Sequence, residues 1–311
     1  MRAPSPPAPG PSMGPQIGQQ VFLGVLCGAG AALFWAAGFV AARHGIAVGF
    51  SPADVVFHRF VWAGLVCLPL VARDGLRNPG LGDLGGVGWG KGIALTLTGG
   101  LPLAVFSYAG FLFVPLAHGG VIQPSCAALG GLALATFVLK EPLPAARAVG
   151  AAIIVIGLAV IGAEALATIG ARGLVGDLSF VSAGLLFATF GTLLRRWHVT
   201  PTRAVVVTSV VSLVWLPIQW LAFGFERMIG LGLVENLLQA VMLGVFAGAG
   251  ATYLFTRSVV LLGAGRAAVF PSLVPGFTLL SGFLTLGEVP SLAQLAGLAI
   301  VMLGFWLTQR G

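Results

Sequence analysis

Apolar residues run through this chain in long blocks, separated by short polar breaks. Ten blocks follow one another, at roughly 21–43, 52–72, 92–114, 117–138, 144–163, 176–195, 203–223, 238–257, 264–286 and 291–308. A helix needs about 20 residues to cross a hydrocarbon core. Backbone N–H and C=O groups cannot stay unpaired in lipid, so each block reads as a membrane-spanning helix. A membrane barrel would instead show short alternating strands. The connections are too short to hold a soluble domain. Residues 1–20 are rich in Pro and Gly and predict a disordered tail. They run into a spanning block without a convincing cleavage site, so a signal peptide is not expected.

Composition narrows the class further. The chain is 58% hydrophobic and 8% charged, with a mean hydropathy of +1.01. Soluble domains carry about 25% charged residues, so a soluble enzyme, a secreted disulfide scaffold and a disordered protein are all excluded. The 47 glycines show no collagen period and suit close helix packing in lipid.

Net charge is +7, but the basic residues stand one to three at a time between apolar blocks. That scatter excludes a nucleic-acid partner and serves topology instead. With the N-terminus placed inside, twelve basic residues fall on the inner side: Arg2, Arg73, Arg77, Lys91, Lys140, Arg147, Arg195, Arg196, Arg203, Arg257, Arg266 and Arg310. Arg43, Arg172 and Arg227 fall outside, and only Arg59 is left deep within a span, away from its ends. The expectation is a multi-pass cell-membrane protein with both termini cytoplasmic. Cys27, Cys67 and Cys126 all sit in apolar blocks with no Cys-x-x-Cys, which predicts neither disulfide nor zinc site.

The chain contains an internal repeat. At an offset of 147, Pro124, Ser125, Glu141, Gly150 and Gly157 match Pro271, Ser272, Glu288, Gly297 and Gly304. Ten of the 34 aligned positions are identical. At an offset of 152, Leu33, Ala36 and Arg43 match Leu185, Ala188 and Arg195. Two five-helix repeats are therefore expected, over 21–163 and 176–309. Because five is odd, the second enters the membrane inverted, a build that recurs in secondary transporters. The predicted fold is an all-α integral membrane protein of ten transmembrane helices in two inverted five-helix repeats.

Two signatures carry a family resemblance. One opens the first half, FWAAGFVAARHGIAVGFSPADVVFHRF, with Trp35, Arg43, Pro52 and Arg59. The other closes each half, from Pro124 to Glu141 and from Pro271 to Glu288, before a Gly-bearing helix. With these the chain resembles the EamA-type transporters of the drug/metabolite transporter superfamily, over about residues 21–309. The resemblance implies a carrier of small molecules such as amino acids, metabolites or drugs, often moving outward. The second half departs from the pattern: it has no Arg equivalent to Arg59, only Thr208 nearby.

The chemistry-bearing residues inside the blocks are few. Arg59, with His58 beside it, lies below the interface, where an ionisable group is costly and faces a cavity or a partner. It suits either a contact to an anionic substrate group or a proton relay, or an anchor on helix-end carbonyls. Asp54 and His58, four apart, share a helix face. Pro124, Pro271, Pro275 and Pro102 free helix carbonyls, and Ser125 and Ser272 follow the matched prolines. His118 lies on the face of Ser125. Tyr108 and Tyr253, the only tyrosines, occupy repeat-equivalent blocks and need partners for their hydroxyls. The candidate lining set is thus Trp35, Arg59, Tyr108, His118, Ser125, Tyr253 and Ser272. Glu141 and Glu288 fall at opposite faces and are expected to meet the dipoles of the helices that follow them. Ser291 and Gln294 have capping-box spacing.

No phosphate-cradling loop, metal-binding histidine pair or nucleophile elbow is present, so no cofactor or metal is expected. The partners expected are a small-molecule substrate and the bilayer, with no nucleic acid. The patterns Gly24-x-x-x-Gly28 and Gly244-x-x-x-Gly248 suit contacts within the chain or in a homodimer, and a monomer is expected. The expected function is secondary transport of a small organic solute, as an exporter, by alternating access. The alternative is an intramembrane enzyme acting on a lipid or prenyl substrate, which would need clustered Asp with magnesium or a His–Ser dyad.

Overall fold

The structure, a computed structural model, describes residues 14–75, 80–267 and 269–309. Every regular element among them is helical. In chain order the α-helices are α1 (Gly14–Val48), α2 (Pro52–Gly75), α3 (Trp89–Gly99), α4 (Leu101–Gly110), α5 (Leu116–Phe137), α6 (Ala145–Thr168) and α7 (Ala171–Trp197). Then come α8 (Pro201–Val211), α9 (Trp215–Ile218), α10 (Glu226–Gly230), α11 (Gly232–Gln239), α12 (Ala251–Leu262), α13 (Ala264–Ala267), α14 (Val274–Leu286) and α15 (Leu292–Thr308). A π-helix over Ala240–Gly250 joins α11 to α12.

Seven stretches of the described residues are long and apolar enough to cross a membrane: Gln19–Val48, Trp89–Gly110, Leu116–Phe137, Ala145–Thr168, Ala171–Trp197, Pro201–Phe223 and Gly232–Leu262. Phe270–Leu286 and Leu292–Thr308 are apolar and shorter. Large apolar side chains such as Phe137, Leu221 and Leu284 stand exposed, as a lipid-facing surface requires. The chain is a multi-pass membrane protein.

The helices depart from the apolar blocks where Gly and Pro act. Residues 1–13 of the expected tail lie outside the described residues, and α1 already begins at Gly14, so the tail does not extend to residue 20. The third block is split at Gly100 (φ −121, ψ −120), with Pro102 in the first turn of α4. In the ninth block a 3-10 turn over Phe270–Leu273 carries Pro271, and Pro275 starts α14. Pro124 behaves differently from its repeat partner. It sits inside the continuous helix α5, so the break expected there does not form.

The starts and ends of α5 and α6 mark two ends of the helix bundle. At one end α1, α5, α6, α14 and α15 meet around Arg43 and Glu288. At the other, the end of α5, the start of α6 and the end of α7 meet around Glu141 and Arg195. Helices α6 and α15 cross through the glycines that the repeat matches. A side-chain carbon on Gly150 would fall 2.7 Å from the Gly304 carbonyl oxygen, and one on Gly157 would fall 2.8 Å from that of Gly297. Only glycine allows two backbones this close. The Gly24 and Gly28 pattern seats Leu262 and Phe270, and Gly244 lies against α2 at His58 and Trp62. Both small-residue patterns therefore serve contacts inside the chain.

Candidate functional site

Arg59 projects from α2 between α4 and the π-helix. Its guanidinium faces the Tyr108 hydroxyl, with Cys67 of α2 in electrostatic range. The π-helix comes close enough that a side-chain carbon on Gly248 would stand 2.6 Å from Nη1. Nη1 is buried and has no hydrogen-bond partner. A charged N–H donor in that state is a strong anion receptor, because a donor left unmet in low dielectric costs free energy that a carboxylate or phosphate oxygen would recover. A π-helix carries an extra residue per turn, and such segments are frequent at functional sites. The second half supplies no counterpart: Thr208 donates to the Ala204 carbonyl of its own helix at 2.7 Å.

Only Arg59 and Tyr108 of the expected set meet. Trp35 is half-buried and its ring centroid stands 5.5 Å from that of Phe255. Ser125 is fully buried with an unpartnered hydroxyl. Ser272 is tied to the chain, donating to the Val269 carbonyl at 2.6 Å and accepting from Gln309 at 3.2 Å. Tyr253 is 63% exposed, whereas Tyr108 is buried beside Arg59. The two tyrosines therefore do not line one common buried cavity. Asp54 and His58 do not pair either. Asp54 accepts from the Ser51 amide and hydroxyl at 2.8 and 2.7 Å, and from Gln219 at 2.8 Å. Trp62 donates to His58 Nδ1 at 3.1 Å, which leaves Nε2 as the donor to Asn236 Oδ1 at 3.1 Å.

The two matched glutamates are held by arginines of the opposite half. Arg43 Nε donates to Glu288 Oε1 at 2.7 Å, and Nη1 to the Phe111 carbonyl at 3.1 Å. Glu288 Oε2 accepts from the Leu116 amide at 2.9 Å, so this carboxylate caps α5 across the repeat, and not α15 as its position in sequence suggested. The start of α15 is closed by its own capping box, Ser291 with Gln294. At the other end Arg195 donates to Glu141. Each pair borders a cavity. That at Arg43 and Glu288 has a volume of about 420 Å³ and is walled by Leu116, Glu164, Ser291 and Gln294. That at Glu141 and Arg195 has about 230 Å³ and includes Arg147 and Thr308.

His118 belongs to a buried polar group that the sequence reading did not assemble. Its Nδ1 stands 2.8 Å from Asp177 Oδ1, and its Nε2 3.4 Å from Gln294. Gln294 also donates to Glu164 at 3.4 Å. The signal available beforehand was Asp177 itself, an acid within an apolar block. No group of three or more His, Cys, Asp or Glu among the described residues is arranged to hold a metal ion.

Comparison with known proteins follows the same division of the chain. One crystal structure of a protein, 20% identical, covers 92% of this chain and 96% of its own, with a TM-score of 0.61, a likeness of fold. No curated protein matches the chain. The EamA-like transporter family matches twice, over residues 22–163 and 174–310. With a double match over nearly its whole length, the chain belongs to the EamA-like transporter family, whose members carry small solutes across membranes.

Proposed function

We propose that the chain is a ten-span secondary transporter, formed from two inverted five-helix halves, that exports a small organic solute bearing an anionic group. The observation that carries this reading is Arg59, a buried guanidinium with an unmet N–H, set beside Tyr108 where the π-helix has only glycine to offer. The anionic group docks on Nη1 and the Tyr108 hydroxyl, and the apolar remainder lies against neighbouring aromatic rings. The reciprocal ion pairs support alternating access. One joins the halves at each end, and each borders a cavity, so opening one end while the other stays latched needs only one pair to part. The excess of Lys and Arg over one set of loops supports an outward-facing Arg43 end.

The test is transport by the purified full chain in liposomes, with a panel of labelled amino acids, metabolites and drugs. Solutes carrying a carboxylate or phosphate are expected to move, and Arg59→Ala to slow them strongly at normal membrane abundance. Movement of cationic or neutral solutes alone, untouched by Arg59→Ala, would overturn the assignment.

A further inference from the structure

Behind the 420 Å³ cavity runs a string of polar side chains that solute binding at Arg59 does not use. Gln294 Oε1 accepts from the Ser291 amide at 3.2 Å in the capping box of α15. That bond fixes which end of the amide faces inward. Nε2 therefore donates, to Glu164 Oε1 and to His118 Nε2, each at 3.4 Å. An imidazole nitrogen that accepts leaves the hydrogen on the other, so Nδ1 donates to Asp177 Oδ1 at 2.8 Å. His118 is 1% exposed and Asp177 5%. Four helices contribute: α5, α6, α7 and α15.

The charges in this string do not balance. With the imidazole neutral it holds two carboxylates and no cation. The basic group nearest in the cavity wall, Arg43 of α1, is committed to Glu288 and the Phe111 carbonyl. His44 of α1, at the same end, is taken by Glu235 of α11. Asp177 Oδ2 and Glu164 Oε2 are both buried with no partner. Asp177 Oδ2 faces α6, where a side-chain carbon on Gly162 would stand 4.0 Å away. An ionised carboxylate with a bare oxygen is costly in a membrane interior, and neutralising it removes that cost. A hard metal cation needs about six oxygen ligands. Here one oxygen of each carboxylate already accepts an N–H bond, and Gln294 and His118 add only N–H groups to its surroundings. A proton needs a single lone pair.

We propose that Asp177, joined through His118 and Gln294 to Glu164 in the cavity wall, is a proton-binding site that couples solute movement to the proton gradient. This rests on the transporter reading above. The step is a proton transfer from hydronium to Asp177 Oδ2: one O–H bond breaks in hydronium and one forms on the carboxylate, water is left, and no electrons change hands.

The first measurement is independent of transport. Infrared titration of the purified full chain is expected to show a buried carboxyl that takes up a proton as pH falls, with its band lost in Asp177→Asn. Asparagine keeps the oxygen that accepts from His118, and Glu164→Gln is the second variant should the first not fold. The second measurement uses the labelled panel. An imposed gradient of one pH unit can concentrate a solute about tenfold per proton. Wild-type protein is expected to approach that ratio, with solute movement reported by a pH-sensitive dye. Asp177→Asn is expected to abolish both the pH-driven accumulation and the dye signal. Ser182→Ala, which removes only an exposed hydroxyl bonded to its own helix, should leave them unchanged. The proposal is overturned by the same pH-driven ratio in Asp177→Asn as in wild type, by accumulation that follows a sodium gradient alone, or by the absence of a titrating carboxyl. Should no solute of the panel move, the transporter reading fails while the infrared result still decides the proton site.

Discussion

Arg43 and Glu288, 245 positions apart, meet at 2.7 Å, and their repeat-matched counterparts Arg195 and Glu141 meet at the opposite end of the protein. Each pair takes its arginine from a helix of one half, α1 or α7, and its glutamate from the connection before the last helix of the other, α5–α6 or α14–α15. The pairs differ in setting. The side chains of Arg43 and Glu288 are 25% and 28% exposed, and those of Arg195 and Glu141 are 52% and 38%. The first is thus the firmer latch, since exposed ion pairs are weakened by water and salt.

Charge exchange tests that latch. Arg43→Glu alone should lower transport roughly five- to tenfold, near the low end of measured coupling between sites. Arg43→Glu with Glu288→Arg should recover part of the loss, measured as initial flux at matched abundance. No recovery would mean that the Leu116 amide and Phe111 carbonyl contacts carry the effect.

Loss of the guanidinium at position 59 should lower flux roughly ten- to a hundredfold, the range of a charge-assisted hydrogen bond. Arg59→Lys keeps the charge and should fall between. Gly248→Ala should resemble it, because the added methyl would stand 2.6 Å from Nη1. Flux and surface abundance, measured together, separate a displaced side chain from a misfolded chain.

The two tyrosines should separate cleanly. Tyr108→Phe removes a hydroxyl facing Arg59 and should lower flux several-fold, on the order of 1 kcal/mol. Tyr253→Phe alters an exposed position and should stay within roughly twofold, the usual effect of surface changes. Equal losses in the two would restore a shared pocket.

Much of this architecture was legible in the apolar blocks. Their length demands helices whatever the tertiary fold, and matched residues such as Gly150 and Gly297 marked the duplication. The breaks were harder to read. Proline predicts a lost hydrogen bond but not whether the helix ends there: α5 runs on through Pro124, while at Pro271 the chain forms a 3-10 turn. The site was legible only in part. Arg59 stood out as the one cation far from the ends of its block. Asp177, Glu164 and Gln294 come from three helices, and no local spacing connects them to His118. Nor does local sequence show that Glu288 reaches across to α5.

Bulk placed at the α6–α15 crossing should act on assembly and leave solute affinity alone. Gly157→Leu would drive a side chain into the Gly297 carbonyl, where an added carbon already stands at 2.8 Å. A cost of about 1–3 kcal/mol is expected, as for overpacked cores, read as lower thermal stability in detergent. Unchanged stability would show that the two helices are free to separate.

Glu288 divides its two oxygens between Arg43 on α1 and the first amide of α5. One carboxylate serves both, so moving it away from either partner loosens its hold on the other. Detachment here is therefore a threshold event, in which three segments let go together or hold together, with little room for partial parting.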